Sequence, residues 1–159
     1  MGSLWRRRLL FDLLAAPGLV ENVVATFERD SSIGMIGPRA FRLPSKTYSE
    51  ELSWMSNRET VLALAGRMGV PPDRFRLDFF AGTMFWVRPE SLAPLRRLRF
   101  AETFPEERGL LDGSLEHAIE RLFATSVVAA GYRLEDIDGA EFAAEATQAS
   151  RAPQPLGDR

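Results

Sequence analysis

The sequence contains no cysteine, and this absence excludes disulfide bonds, thiolate zinc sites and a cysteine nucleophile. Histidine occurs only once, at position 117. Neither sign of charge dominates, because 20 lysines and arginines stand against 22 aspartates and glutamates, for a net charge of −2. Such a balance gives no strong field for nucleic acid or for an anionic membrane, so we expect no nucleic-acid partner. A glycine-rich phosphate loop, a Ser-His-Asp pattern and a metalloprotease helix are also missing from the sequence.

A long hydrophobic run is missing as well. The first eight residues, MGSLWRRR, and the apolar stretch after them resemble a signal peptide, but Asp12 interrupts the stretch and Pro17 ends it. The stretch is too short to span a bilayer, so we expect no transmembrane segment. Helical spacing predicts instead an amphipathic first helix over residues 4–15, in which four leucines face a core: Leu9, Leu10, Leu13 and Leu14.

The 159 residues, 45% of them hydrophobic, suffice for one compact domain. Apolar spacing and breaker residues predict further helices from residue 17, over 56–68, over 89–95 and over 114–130. The same signals predict strands over residues 33–37, 75–80 and 84–88.

Two finer features accompany these elements. Ser56 and Glu59 have the spacing of a capping box at the start of the 56–68 helix. Residues 38–55 show no clean period and predict a long loop, with three aromatic residues expected to be exposed: Phe41, Tyr48 and Trp54.

Strands separated by helices indicate a layered α/β domain with a short mixed sheet and flanking helices. Three strands are few for a self-contained sheet, whose faces and edges need cover, so the pattern suggests part of a larger fold. We predict a folded region over residues 1–138. The remaining residues 139–159, rich in alanine, glutamine, proline and charge, predict a disordered tail.

The first candidate for a functional site is the segment from Phe79 to Arg88, in which Gly82 lies between two apolar runs. A glycine in this position marks a bulge or a close backbone approach. A bound ligand could use that space, and so could a neighbouring strand, which is the more common reason for such a glycine.

The second candidate is the segment from Asp112 to Arg121. On a helix, His117, Glu120 and Arg121 share one face, opposite an apolar stripe that begins at Leu115. This pattern is typical of a solvated, salt-bridged face behind a helix-start acid. It also fits a site over the helix start, where a carboxylate deprotonates a sugar hydroxyl, His117 binds a metal or a phosphate, and Arg121 binds a phosphate.

The acidic loop over residues 99–113 contains Glu102, Glu106 and Glu107. Paired carboxylates are the catalytic groups of glycosidases. Glu106 and Glu107 are only neighbours in sequence, however, and nothing in the sequence places two carboxylates on facing sides of a cleft.

Taken in order, four blocks of this sequence resemble the rhamnan synthesis F family over about residues 5–132. They are WRR at 5–7 with the following leucines, IGMIGP at 33–38, AGTMFWVRPE at 81–90 and DGSLEHAIER at 112–121. The last two blocks are the most specific, because they are long, ordered and hard to obtain by chance.

The resemblance implies a bacterial glycosyltransferase of rhamnan, O-antigen or other cell-surface polysaccharide synthesis, located in the cytoplasm or at the inner face of the membrane. Such an enzyme moves a sugar such as rhamnose from a nucleotide sugar to a glycan acceptor. It also implies a GT-A-like fold and a divalent metal, manganese or magnesium, in the complete enzyme. This chain would supply the C-terminal, acceptor-side part of that fold.

By the same analogy, the site residues fall into two groups. Gly82, Thr83 and Trp86 would line the acceptor side. Asp112 would be the general base, while His117, Glu120 and Arg121 would bind substrate, with His117 also a candidate metal ligand.

This sequence departs from the family pattern in two respects. A GT-A enzyme carries an Asp-x-Asp metal motif on an early strand, whereas the one such pattern here, Asp136-Ile137-Asp138, follows the last helix. The chain also begins at the WRR block, so the donor-binding half is expected on another chain or is absent. The alternative to a sugar transferase is a non-catalytic sugar- or partner-binding fragment.

Overall fold

The computed structural model describes residues 2–14, 18–100, 104, 109, 112–139 and 141–142. The helices in these ranges are α1 Gly2–Leu14, α2 Leu19–Arg29, α3 Glu50–Trp54, α4 Arg58–Arg67, α5 Ala93–Arg96 and α6 Leu115–Ala129. The strands are β1 Ile33–Pro38, β2 Arg42–Leu43, β3 Phe79–Phe80, β4 Trp86–Val87 and β5 Arg133–Ile137. Two 3₁₀ turns, Arg39–Phe41 and Pro89–Leu92, complete the order.

The main sheet has three strands in the order β4-β1-β5. The central strand β1 is buried along its whole length and runs antiparallel to β4 and parallel to β5. Strands β2 and β3 form a separate antiparallel pair, in which Arg42 lies opposite Phe80. The predicted class, an α/β fold with a short mixed sheet and flanking helices, is therefore confirmed.

Helices cover both faces of β1. On one face, Met35 belongs to the large core that includes Phe80, Leu122 and Val127, and α6 supplies much of that core. On the other face, Ile33 and Ile36 pack with Val23 of α2. A register shift between Ile33 and Met35 adds a residue to the strand, and this explains why Ile33 and Ile36 lie on the same side.

Two glycines of β1 allow these layers to approach closely. A Cβ on Gly34 would lie 2.6 Å from side-chain atoms of Tyr132 and Val127. A Cβ on Gly37 would lie 2.4 Å from the ring of Phe80. No side chain fits in either place, so the IGMIGP block is a packing motif for α6 and β3.

The first helix only half fulfils its predicted stripe. Leu9 and Leu13 are buried, but Leu10 and Leu14 are exposed, and Leu4 and Phe11 are exposed beside them. The buried side of α1 instead includes Asp12, whose carboxylate accepts a hydrogen bond from Arg8 at 3.1 Å.

The region after Pro38 is more ordered than predicted. The expected loop over 38–55 contains a 3₁₀ turn, β2 and α3, and Trp54 is buried rather than exposed. The predicted capping box is also wrong. The residue that caps α4 is Asn57, whose side chain makes no capping hydrogen bond.

Two strand predictions need correction. The runs 75–80 and 84–88 form strands only at Phe79–Phe80 and Trp86–Val87, and these two strands belong to different sheets. Strand β5 lies where no strand was predicted. Its residues are largely polar because it lies at the edge of the main sheet, where Arg133 binds Asp30 and Glu135.

Of the predicted tail, residues 139 and 141–142 are described and helical, and Glu141 accepts a hydrogen bond from Arg39 at 2.7 Å. The rest of the tail lies outside the described residues. Within the described part of the chain, no single helix has the length and hydropathy to cross a membrane. Residues 6–14 and 19–29 have the length and hydropathy of a membrane span only when they are taken together, and these two helical segments are bent by 62° relative to each other.

Candidate functional site

The start of α6 is organised around the sole histidine. Ser114 is the N-cap residue of the helix, but its hydroxyl forms no capping bond to the backbone. The Ser114 Oγ lies 2.7 Å from His117 Nδ1 instead. This hydrogen bond fixes the orientation of the imidazole ring at the first turn of the helix, where the ring is partly exposed.

Asp112 lies just before this helix and joins it to the start of α4. Its carboxylate accepts hydrogen bonds from the Ser56 backbone N–H at 2.9 Å and from the Asn57 side-chain amide at 2.5 Å. Gly113, with φ of 76°, makes the turn between the acid and the helix in a conformation that glycine adopts at least cost. The predicted helix-start acid is thus a connector between two helix starts.

These contacts also decide how basic Asp112 is. Partial burial raises the pKa of its carboxyl, but hydrogen bonds from Ser56, Gly113 and Asn57 outweigh that effect, so the pKa lies below its ordinary value. A carboxylate with a lowered pKa accepts a proton less readily near neutral pH. The role of general base predicted for Asp112 stays a prediction, and it would require these hydrogen bonds to weaken when a substrate binds.

The two most specific sequence blocks meet at Glu120. The backbone N–H of Gly82 donates to Glu120 Oε1 at 2.5 Å, and this bond holds the turn before β4 against α6. The turn is unusual in its backbone, because Gly82 has φ of 89° and the next residue, Thr83, has φ of 54°. A non-glycine residue in this conformation is uncommon and is often found where a ligand binds.

Arg121 does not lie on the solvated face that the helical pattern suggested. It is 3% exposed, with its Nε donating to the Ser53 carbonyl at 3.0 Å and its Nη1 to the His117 carbonyl at 2.7 Å. Its guanidinium lies over the Phe79 ring, 5.0 Å from the centroid. Burial lowers the pKa of Arg121, and the nearby carboxylates of Glu120 and Asp112 partly offset that effect.

Trp86 lies apart from the other candidates. It pairs with Ile36 in the sheet and packs in the small cluster with Val23, on the face that α2 covers. Its neighbour Phe85 points the other way, toward Phe123 of α6, as alternation along a strand requires. The structure therefore groups Gly82, Thr83, His117, Glu120 and Arg121 around the first turns of α6 and places Trp86 on the opposite side of β4.

A metal site does not form among these residues. In the ranges that the structure describes, no group of three histidine, aspartate or glutamate side chains comes together, so His117 has no set of fellow ligands. Asp136, the first acid of the Asp-x-Asp pattern, uses its carboxylate oxygens to accept from Arg39 and Arg42, both at 2.8 Å. The divalent metal that the resemblance implies for the complete enzyme stays a prediction.

The sequence patterns did not identify Asn57 as part of this region. It is buried, and its amide holds Asp112 from a helix 55 residues away in the chain. The sequence pattern took Ser56 as the cap and placed Asn57 inside the predicted helix, and no spacing signal marks a contact made across the fold. The predicted acids Glu102, Glu106 and Glu107 lie outside the described residues.

Comparison with known proteins gives one family and two relatives. The sequence profile of the family described as rhamnan synthesis protein F matches residues 1–132. Two proteins from strains B100 and ATCC 33913 of Xanthomonas campestris pv. campestris, both named uncharacterized protein WxcX, are 34% identical over 138 residues. That match covers 86% of this chain and 19% of each relative, so the chain spans about a fifth of their length. No solved structure matches the chain.

Proposed function

Because the chain belongs to the rhamnan synthesis protein F family, we propose that it forms the acceptor-side part of a glycosyltransferase in bacterial surface polysaccharide synthesis. The observation that supports this proposal is the hydrogen bond from Gly82 to Glu120. Through it, the two blocks that resemble the family most specifically meet at one place. The strained turn at Thr83 and the imidazole of His117 belong to these same blocks.

The reaction assigns clear tasks to such a site. An acceptor hydroxyl attacks the anomeric carbon of the donor sugar, a new C–O bond forms, and the bond to the nucleoside diphosphate breaks with its electron pair leaving on the phosphate oxygen. The acceptor oxygen must lose its proton to a base. His117 suits this task when its Nδ1 donates to Ser114 Oγ, because its Nε2 then remains as an acceptor.

The other residues position the acceptor. Glu120 has one oxygen on the Gly82 N–H and its other oxygen 3.6 Å from Arg121, so its carboxylate is held between the turn and the helix. The hydroxyl of Thr83 is a donor and acceptor suited to a sugar hydroxyl. Arg121 acts beneath this surface as a buried support, and we assign it no contact with substrate.

At this site we expect the isolated chain to bind a glycan but not a nucleotide sugar. Amide chemical shifts of the ¹⁵N-labelled chain, titrated with rhamnose-containing oligosaccharides, should change at residues 81–83 and at the start of α6. Glu120→Gln keeps an oxygen for the Gly82 N–H and should preserve the fold while weakening binding. Glu59→Gln, on an exposed position of α4, is the matched control and should bind like the wild type.

Calorimetry with dTDP-rhamnose and manganese completes the test. We expect no heat of binding that His117→Gln removes. Donor binding that His117→Gln abolishes would place a donor site in this chain and contradict the acceptor-side assignment. A folded chain whose shifts do not respond to any oligosaccharide would also overturn the proposal.

One observation favours a second candidate, a partner-binding module. Among the side chains that the structure describes, the outer face of α1 carries four that are apolar and exposed, including Leu4 at 74% and Leu14 at 50% exposure. Apolar patches of this kind are typical of surfaces that another domain or chain covers. Concentration-dependent association that Leu4→Ser with Leu14→Ser removes, without any glycan binding, would favour this candidate over sugar transfer.

A further inference from the structure

Three arginines that no predicted motif includes share one groove. Arg96, Arg97 and Arg99 are exposed and line, with Ala93, a groove of about 610 Å³ beside α5. They alternate with two leucines, Leu95 and Leu98, that are buried in the large core.

The backbone that carries the three arginines is held by hydrogen bonds and by core packing and is not a free loop. The backbone N–H of Leu95 donates to the buried Ser126 Oγ of α6 at 3.1 Å, and Leu98 donates to the Leu95 carbonyl at the same distance. These bonds fix the chain between the arginines. The positions from which the three side chains project are therefore set by the fold.

Some arginines of the chain contact carboxylates, whereas the described ranges show no such contact for these three. Arg39, Arg42 and Arg133 each contact two carboxylates at the surface. Within the ranges that the structure describes, no carboxylate contacts Arg96, Arg97 or Arg99. Three like charges in one groove repel one another, and an anion that enters the groove relieves this repulsion.

We propose that this groove binds phosphate groups, either of a soluble diphosphate or of a lipid headgroup. Guanidinium groups stay charged at all physiological pH values, and their planar donors match the oxygens of phosphate in pairs. An apolar neighbour accompanies the charge, because Phe100 follows Arg99 and stacks edge-on, at 6.3 Å, with the exposed Phe104. The site lies outside the acceptor-side residues, so it does not depend on the function proposed above.

Two matched triple variants test this inference. The first replaces Arg96, Arg97 and Arg99 with glutamine. The second replaces Arg6, Arg67 and Arg74, which are exposed in three separate segments, with glutamine as well. Both variants therefore lose three positive charges. Circular dichroism should show that both variants fold, because all six side chains are exposed.

The binding measurements separate the two sources of phosphate. Binding of inorganic pyrophosphate is measured by calorimetric titration at low salt. Binding to membranes is measured by flotation with anionic vesicles that contain phosphatidylglycerol, and vesicles of phosphatidylcholine alone serve as the uncharged control. We expect the wild type to bind pyrophosphate, the anionic vesicles, or both, and the groove variant to lose at least about tenfold in affinity, since each charge-assisted hydrogen bond contributes substantially. The control variant should stay within about twofold of the wild type.

Binding of pyrophosphate alone identifies a soluble diphosphate as the ligand, and binding of anionic vesicles alone identifies a headgroup. An equal loss in both variants would mean that net charge, not the groove, attracts the anion. Equal affinity of the groove variant and the wild type, or no binding by the wild type, would likewise overturn the inference.

Discussion

Replacing Arg121 with methionine should destabilise the fold although the change removes a buried charge. Methionine has a similar length and can still pack over Phe79, but it offers no donor to the Ser53 carbonyl. The His117 carbonyl lies inside α6, where the helix ladder supplies another donor. Only the Ser53 carbonyl is therefore left without this partner.

The magnitude follows from three terms. A buried carbonyl without a partner costs about 1–3 kcal/mol, and the lost contact of the guanidinium with the Phe79 ring costs about 1 kcal/mol. Relief from desolvating the guanidinium offsets part of this cost. We expect a net loss of about 2 kcal/mol in the free energy of unfolding.

Urea denaturation followed by far-UV circular dichroism measures this loss, provided that the slope of the transition stays constant between variants. Arg74→Met is the control, because Arg74 is exposed, and it should change the unfolding free energy by less than about 0.5 kcal/mol. If Arg121→Met is as stable as the wild type, the buried contacts of Arg121 do not form in solution, and the phosphate-binding role suggested by the sequence becomes the better explanation.

Two further predictions concern packing and pH. Gly37→Ala should lower the free energy of unfolding, measured by heat or urea, by about 1–3 kcal/mol, because the new Cβ would meet the Phe80 ring. The control Gly66→Ala has open space on α4 and should raise the free energy of unfolding by up to about 1 kcal/mol. Equal effects of the two substitutions would contradict the packing of β1. The pKa of Asp112 is lowered in the fold, so its ionised form stabilises the protein above the ordinary aspartate value of about 4, and this stability is lost as the pH falls through the folded value. Asp112→Asn should thus be less stable than the wild type at pH 7, with a difference that shrinks below about pH 4, and a pH-independent difference would show that the hydrogen bonds to its carboxylate are not formed.

The sequence predicted those elements for which the spacing of apolar residues and the residues at the ends indicate the same helix or strand. Helix α6 and strand β1 were both found, since α6 has a clear stripe with Gly131 just beyond it and β1 is apolar up to Pro38. Strand β5 was not found. Its residues are polar because it lies at the sheet edge, and its existence depends on pairing with β1, about 100 positions earlier in the chain.

The sequence predicted which residues form the candidate site better than it predicted how these residues are arranged in space. The joining of residues 81–83 to α6 could not be read from spacing, because it rests on one hydrogen bond from Gly82 to Glu120. The burial of Arg121 depends on α3 and Phe79, which lie far from it in the sequence. For the same reason Trp86, adjacent to Phe85 in the sequence, falls on the other side of the sheet.

The parallel pairing of β1 with β5 has a consequence for how the chain acquires its structure. Ile33 can pair with Arg133 only after about 100 intervening residues have been synthesised. Until then, the backbone hydrogen-bonding groups of β1 that face β5 lack their strand partner. Contacts of this sequence separation slow folding, because the loop between them must close first. The family match ends at residue 132, one position before β5 begins, so a segment cut at that boundary would lack the strand that completes the sheet.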